Sequence, residues 1–200
     1  MRKVFGLCCI FLGICCLIGA VGFIGYNRLE EENARSASQD ILQNVLENTQ
    51  DEQIPRETVT AELSDPVQQE MLTTQVNGYE CIGVLSIPVL ELELPVLTQW
   101  SYTKLKTAPC HYFGSCYGDN FVIAAHNYRS HFGRLSELQA GDLILFTDIA
   151  GTVHCYEVAL LETLSGYATE EMITSGFGLS LYTCTPGGAS RVTVRCNKID

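Results

Sequence analysis

Basic residues are scarce in this chain. Lysine and arginine together number 12 against 23 aspartates and glutamates, a formal net charge of −11, so phosphate-rich partners are repelled and nucleic-acid binding is not expected. Only 18% of residues are charged while 46% are hydrophobic, which is too apolar for a disordered chain. Of the four histidines, His111 and His131 fall in polar loops and His154 in an expected strand. No ligand spacing links them, and no metal site is expected. Ten cysteines exceed the average but fall short of the density at which disulfides replace a core. No internal repeat is present, and 200 residues accommodate about one ordinary domain, not a multidomain enzyme.

What is there begins with a hydrophobic run. After Arg2 and Lys3 come twenty-two residues, Val4 to Gly25, without charge or proline. As a helix this run reaches about 33 Å, enough for a hydrocarbon core of roughly 30 Å. It is longer than the apolar region of a cleaved signal peptide, and the small residues Gly19 and Ala20 make a weak cleavage site. A retained signal anchor is therefore expected over residues 1–26. Arg2 and Lys3 on one flank and Glu30, Glu31 and Glu32 on the other set the amino terminus in the cytoplasm and the rest of the chain outside. Cys8, Cys9, Cys15 and Cys16 within the run behave as small hydrophobes.

Residues 27–75 carry eleven acids and three bases, and most of the chain's negative charge belongs here. Ile41, Leu42, Val45 and Leu46 give a short amphipathic stripe, so a helix over 36–47 is expected within an acidic, solvated stalk that Pro55 and Pro66 interrupt. From Tyr79 the pattern changes to short β-branched and aromatic runs between turn residues. Strands are expected over 82–87, 89–94, 121–125, 143–147, 152–162, 178–183 and 192–196, with a helical turn near 134–139. Seven or eight strands with little helix make residues 76–200 an all-β barrel or sandwich.

The stretch from Leu181 to Arg195 is the densest in chemistry. A strand ends in Cys184, a Pro186-Gly187-Gly188 turn follows, and a second strand opens with Arg191. Adjacent strands lie about 4.8 Å apart, so a hairpin-like return can set Arg191 beside Cys184, where a cation lowers a thiol pKa or holds an oxyanion. A base is supplied by the strand that ends at His126, with His131 as a rival five residues on. Cysteine and histidine at neighbouring strand ends are what thiol catalysis needs, although a strand cysteine is more often inert and an arginine more often solvated.

These residues resemble a known family. Ser180-Leu181-Tyr182-Thr183-Cys184 is similar to the TLxTC signature of sortases, the membrane-anchored cysteine transpeptidases of Gram-positive bacteria. Ala125-His126-Asn127, Phe132-Gly133-x-Leu135, Gly141-Asp142, Gly83-x-Leu85-x-Ile87-Pro88 and Leu94-Pro95-Val96 resemble the family in the same order. The resemblance implies an eight-stranded sortase-type β-barrel with short helices, of a class B- or D-like subclass, preceded by one transmembrane helix and a polar stalk. It implies Cys184, His126 and Arg191 as catalytic residues, with Thr183, Asn127 and Tyr182 contacting substrate. The implied reaction cleaves an LPxTG-like sorting signal between Thr and Gly through a thioacyl enzyme. The acyl group then passes to a peptidoglycan-precursor or pilin amine. Partners are then surface proteins bearing a carboxyl-terminal sorting signal, at the cell membrane, and the chemistry requires no cofactor. The signature's first Thr is replaced by Ser180, and the Cys184–Arg191 turn is short. Asp65-Pro66 is followed by Val67 where pilin-type relatives carry an aromatic, so no strong lid is expected. A membrane-anchored cysteine peptidase and a non-catalytic surface binding domain are the alternatives.

Overall fold

The computed structural model describes residues 2–51 and 70–199. The Asp65-Pro66-Val67 segment lies outside them.

The first element is α1 (Arg2–Asp51), one unbroken helix of 50 residues, about 75 Å long. Its first half exposes Ile10, Leu17, Val21 and Phe23 on all sides, as a helix does whose solvent is lipid. A window of 18 residues reaches a mean hydropathy of 2.0 with none of it buried against the protein, so the helix is long and apolar enough to cross a membrane. The second half departs from the expected solvated stalk. Ala34, Ser38, Ile41 and Val45 are buried, and their spacing of four, three and four residues puts them on one helical face. That face packs on the barrel, where Ile41 and Val45 join Val76, Leu97 and Leu105 in one cluster. The short helix expected over 36–47 is the docked part of this longer one.

Nine strands follow: β1 (Thr74–Val76), β2 (Tyr79–Ile87), β3 (Leu92–Leu97), β4 (Cys110–Phe113), β5 (Phe121–Ala124), β6 (Leu143–Asp148), β7 (Val153–Ser165), β8 (Leu179–Cys184) and β9 (Ser190–Ile199). Eight of them close into a barrel in the order β2-β3-β4-β5-β8-β9-β7-β6, with β6 returning to β2 and β1 added to the end of β2. Two pairings are parallel, β3 with β4 and β5 with β8. The interior is filled by Leu85, Ile87, Phe121, Ile123, Phe132, Phe146, Leu181 and Val194, all fully buried. Between the strands lie two short helices, α2 (Tyr102–Leu105) and α3 (Thr169–Ile173).

The strand expected over 89–94 begins at Leu92 instead. Pro88 opens a helical turn, and Glu91 closes it with a left-handed φ of 52°, so the chain reverses here before β3 pairs back on β2. The helical turn expected near 134–139 is a 3-10 turn over Leu135–Glu137.

Candidate active site

The β8–β9 hairpin fixes the first pair. Its antiparallel register sets Cys184 opposite Arg191, across the turn formed by Pro186, Gly187 and Gly188. Thr185 holds that turn: its backbone N–H donates to Ser190 O at 3.0 Å, and its Oγ1 lies 3.1 Å from Ser190 Oγ. Cys184 is half-buried. Arg191 Nη1 donates to the carbonyls of Gly188 and Ser190 at 3.0 and 3.2 Å, and Nη2 has no partner among the described residues.

The parallel β5–β8 pairing brings in the histidine. Ala124 pairs with Tyr182 on the last rung and Ala125 N–H donates to Tyr182 O at 3.2 Å, so His126 follows β5 at the end of the barrel where β8 ends in Cys184. Thr183 ties the two strand ends together by donating its hydroxyl to Ala125 O at 2.9 Å. It is 3% exposed, and its side chain is a strut between the strands. Asn127 serves the ring of His126: its Oδ1 lies 3.0 Å and its backbone N 3.1 Å from Nδ1. Nε2 is left without a partner among the described residues, the nitrogen available for proton exchange. Tyr128 stacks on the same ring at 4.1 Å and 8°.

The loop after His126 is folded tightly on itself. Both His131 N–H and Gly133 N–H donate to Tyr128 O, and Phe132 N–H donates to His126 O. A Cβ at Gly133 would stand 2.5 Å from Asn127 O, so only glycine fits. His131, the rival base, is fully buried. Desolvation, aided by nearby His126, pushes its pKa down to about 4, so it stays neutral and is shut away from the rim. Cys81, Cys110, Cys116 and Cys196 are buried, and burial raises their thiols to about 11, 12, 11 and 12. They are inert as nucleophiles at neutral pH. All four are free thiols, as is Cys155: Cys110 and Cys116 lie in different clusters, and Cys155 and Cys196 sit on different rungs of β7–β9.

An aromatic pocket opens beside Arg191. It encloses about 220 Å³ and is lined by Trp100, Tyr102, Tyr112, Met172, Tyr182 and Arg191. Tyr112 meets Tyr182 edge-on at 5.4 Å, and Trp100 meets Tyr102 and Tyr112 at 4.9 and 6.1 Å. Of these, the sequence pointed to Tyr182 and Arg191. Trp100 comes from the loop before α2 and Tyr112 from β4, and neither gave a signal. On the other side of His126, α1 reaches the rim. Glu30 takes a 3.0 Å ion pair from Lys106 and a hydrogen bond from Tyr26, and Arg129 N–H donates to Glu31 at 2.9 Å. The Lys106 contact holds the Glu30 carboxyl below the ordinary range, with smaller contributions from Tyr26 and the charge of His126.

A separate cluster gathers Cys116, Asp148 and His154, with donor atoms within 4.8 Å of one another, although the sequence shows no ligand spacing. Asp148 Oδ2 accepts from Tyr117 and lies 3.0 Å from His154 Nε2, while Oδ1 accepts from Thr152 N–H. These bonds account for the cluster as the pin of the β6–β7 hairpin.

The family model described as "Sortase domain" matches residues 85–199, more than half of the chain. The chain belongs to the sortase family. It is similar to the crystal structure of sortase C1 from Streptococcus suis, at 28% identity and TM-score 0.53 over 60% of this chain and 73% of that one. Sortase C1 from Streptococcus agalactiae is 25% identical with TM-score 0.55, over 63% and 71%. A Clostridium perfringens sortase D5 transpeptidase shares the fold at TM-score 0.61 and 20% identity, over 82% and 99%. These relatives carry class C and D names, whereas the signature read from sequence points to class B or D. No curated protein matches the chain. Family membership makes the chain a sortase-type cysteine transpeptidase in general terms.

Proposed function

We propose that this sortase is anchored by α1 with its amino terminus in the cytoplasm, and that it joins surface proteins bearing an LPxTG-like carboxyl-terminal signal to a peptidoglycan-precursor or pilin amine. The observation that supports the reading is the shared rim: Cys184 opposite Arg191 in the β8–β9 register, and His126 just past the last rung of β5 and β8 at the same end of the barrel.

In this reading the Cys184 thiolate attacks the Thr carbonyl carbon of the signal. The oxyanion of the tetrahedral intermediate takes hydrogen bonds from Arg191, whose planar fork of donors suits it. As the Thr–Gly bond breaks, protonated His126 gives its Nε2 proton to the departing Gly amine, leaving a thioester on Cys184 and a neutral imidazole. The acceptor amine then attacks the thioester and passes a proton to His126, and the Cys184 thiolate leaves. The aromatic pocket beside Arg191 receives an apolar side chain of the signal. Asn127 orients the imidazole through Nδ1.

The test is mass spectrometry of the full chain in detergent micelles with a panel of LPxTG-like and NPxTG-like peptides, plus oligoglycine or a diaminopimelate-type amine. A product joined after Thr that needs both the amine and Cys184 establishes transpeptidation and identifies the signal. A product unchanged in the Cys184→Ala variant overturns the assignment of the nucleophile, and cleavage without joining favours a peptidase.

A further inference from the structure

The loop that lines the aromatic pocket has an unusual composition for a water-facing surface. Trp100-Ser101-Tyr102-Thr103-Lys104-Leu105-Lys106 sets two aromatic rings, then two lysines, beside one buried anchor, Leu105. Trp100 is 37% and Tyr102 74% exposed, and Ser101 caps α2 by accepting from Lys104 N–H. Large amphipathic rings and long cationic stems are the side chains that settle at the boundary between hydrocarbon and headgroups.

The position of this loop relative to α1 is fixed by Leu105, which packs in one cluster with Ile41 and Val45 of the helix, and polar contacts mark where it lies. Lys106 Nζ is 3.0 Å from Glu30 Oε1, and Tyr26 donates to the same carboxylate. Glu30 lies five residues past Gly25, the end of the apolar run, which is about 7.5 Å along the helix axis. Because α1 continues without a break from the apolar run onto the barrel, no hinge separates the loop from the bilayer. Arg28 and Arg129 line one cavity beside the helix, together with Glu31 and Glu32.

The geometry points to residues 100–106 as a lipid-contact element that, together with α1, seats the His126 rim of the barrel on the headgroups of the membrane. The proposal rests on α1 spanning that membrane. Its consequence is that the pocket beside Arg191 opens at the headgroup layer, so a signal followed by a membrane-embedded segment reaches Cys184 without being pulled into water. The occupant is the lipid surface; the alternative, that the exposed rings serve only as a wall for the peptide, is separated by the test.

Trp100 is the chain's single tryptophan and reports directly. The full chain is placed in nanodiscs of zwitterionic and anionic phospholipid, with or without lipid brominated on the upper acyl carbons, and tryptophan emission is read. Contact predicts at least a twofold loss of Trp100 emission in brominated discs. Two controls in a Trp100→Phe background calibrate it: Phe23→Trp reports insertion of α1, and Val153→Trp sits at the far end of β7. Val153 lies twelve residues from Ser165 at the rim end of that strand, about 40 Å away. Quenching at Trp100 and Phe23→Trp but not at Val153→Trp supports the proposal. Quenching at Phe23→Trp with unquenched Trp100 overturns it, as does Trp100 emission that responds to added peptide alone. Unquenched Phe23→Trp overturns it together with the anchor. The chemistry is judged separately by the joined-product assay on the wild-type chain, so loss of the membrane contact and failure of the transpeptidase reading are read by different instruments.

Discussion

Protonating His131 should unfold this protein from the α1 side, and the size of the effect follows from its burial. The ring is fully buried, beside Tyr128 at 5.5 Å and under the docked face of α1. Neither ring nitrogen has a hydrogen-bond partner among the described residues, although the Ala34 carbonyl is near enough to favour the charged form slightly. Desolvation is the larger influence, followed by the charge of His126, and the pKa falls to about 4 from an ordinary 6.5. The unfolded chain therefore binds the proton first. Stability is at its full value above pH 6.5 and is lost as pH falls toward 4, at up to about 1.4 kcal/mol per pH unit and about 3 kcal/mol in total. Glu30 and Glu137, whose carboxyls lie below the ordinary range because of hydrogen bonds from Lys106 and Arg134, add their own loss only below about pH 4.5. The assay is urea unfolding of the full chain in micelles, followed by Trp100 emission at pH 7.5, 6.5, 5.5 and 4.5. His131→Leu should remove the pH dependence between 6.5 and 4.5 while leaving the urea slope unchanged. If wild type and variant lose stability in parallel over that window, His131 is not buried neutral and the reasoning fails.

Three other outcomes follow from the geometry. Arg195→Ala should destabilise by about 3 kcal/mol in thermal or urea unfolding. The guanidinium is 2% exposed and donates to Glu162 at 2.7 Å, Ser180 at 2.8 Å and the carbonyls of Glu171 and Met172. Gly133→Ala should open the loop that holds His126, at roughly 2 kcal/mol of stability, with joined-product formation falling further than stability alone explains; normal turnover would mean the loop is not a support. Arg191→Lys should lower kcat on the order of a hundredfold with an unchanged circular-dichroism spectrum, and wild-type turnover would remove Arg191 from the mechanism.

Much of the barrel is legible because its strands are short apolar runs bounded by turn residues. β5, β6 and β8 lie where 121–125, 143–147 and 178–183 place them. β4 is not legible, because Cys110-His111-Tyr112-Phe113 is short and neither alternates nor forms an apolar run. The docked half of α1 fails for a different reason: Ile41 and Val45 announce a face, but its partners Val76, Leu97 and Leu105 are scattered over three elements. The Cys184–Arg191 pair is readable from hairpin spacing alone. Depth along a strand is not, since Arg191 and Arg195 lie on the same face of β9 four residues apart, one at the rim and the other buried under α3. The aromatic pocket could not be read, because Trp100, Tyr112 and Tyr182 meet only when the barrel closes.

Which contacts hold α1 against the rim decides how firmly its apolar half is coupled to the barrel. The exposed pair of Lys106 and Glu30 contributes little, since water and salt screen it. Ile41 and Val45 are each 2% exposed, and burying two such side chains contributes about 3–6 kcal/mol. The helix is therefore held by its far end, and the polar contacts at Glu30 and Glu31 set its direction. Ile41→Asp, which places a carboxylate in that apolar cluster, should release the docked half of α1 while Lys106→Ala leaves it in place. Hydrogen exchange of the amides of residues 128–134 reads the difference, because undocking uncovers the loop that carries His131. Faster exchange in Ile41→Asp with wild-type exchange in Lys106→Ala supports this division of labour. The reverse order would mean that the ion pair at the rim fastens the helix, and that its coupling to the barrel weakens as salt rises.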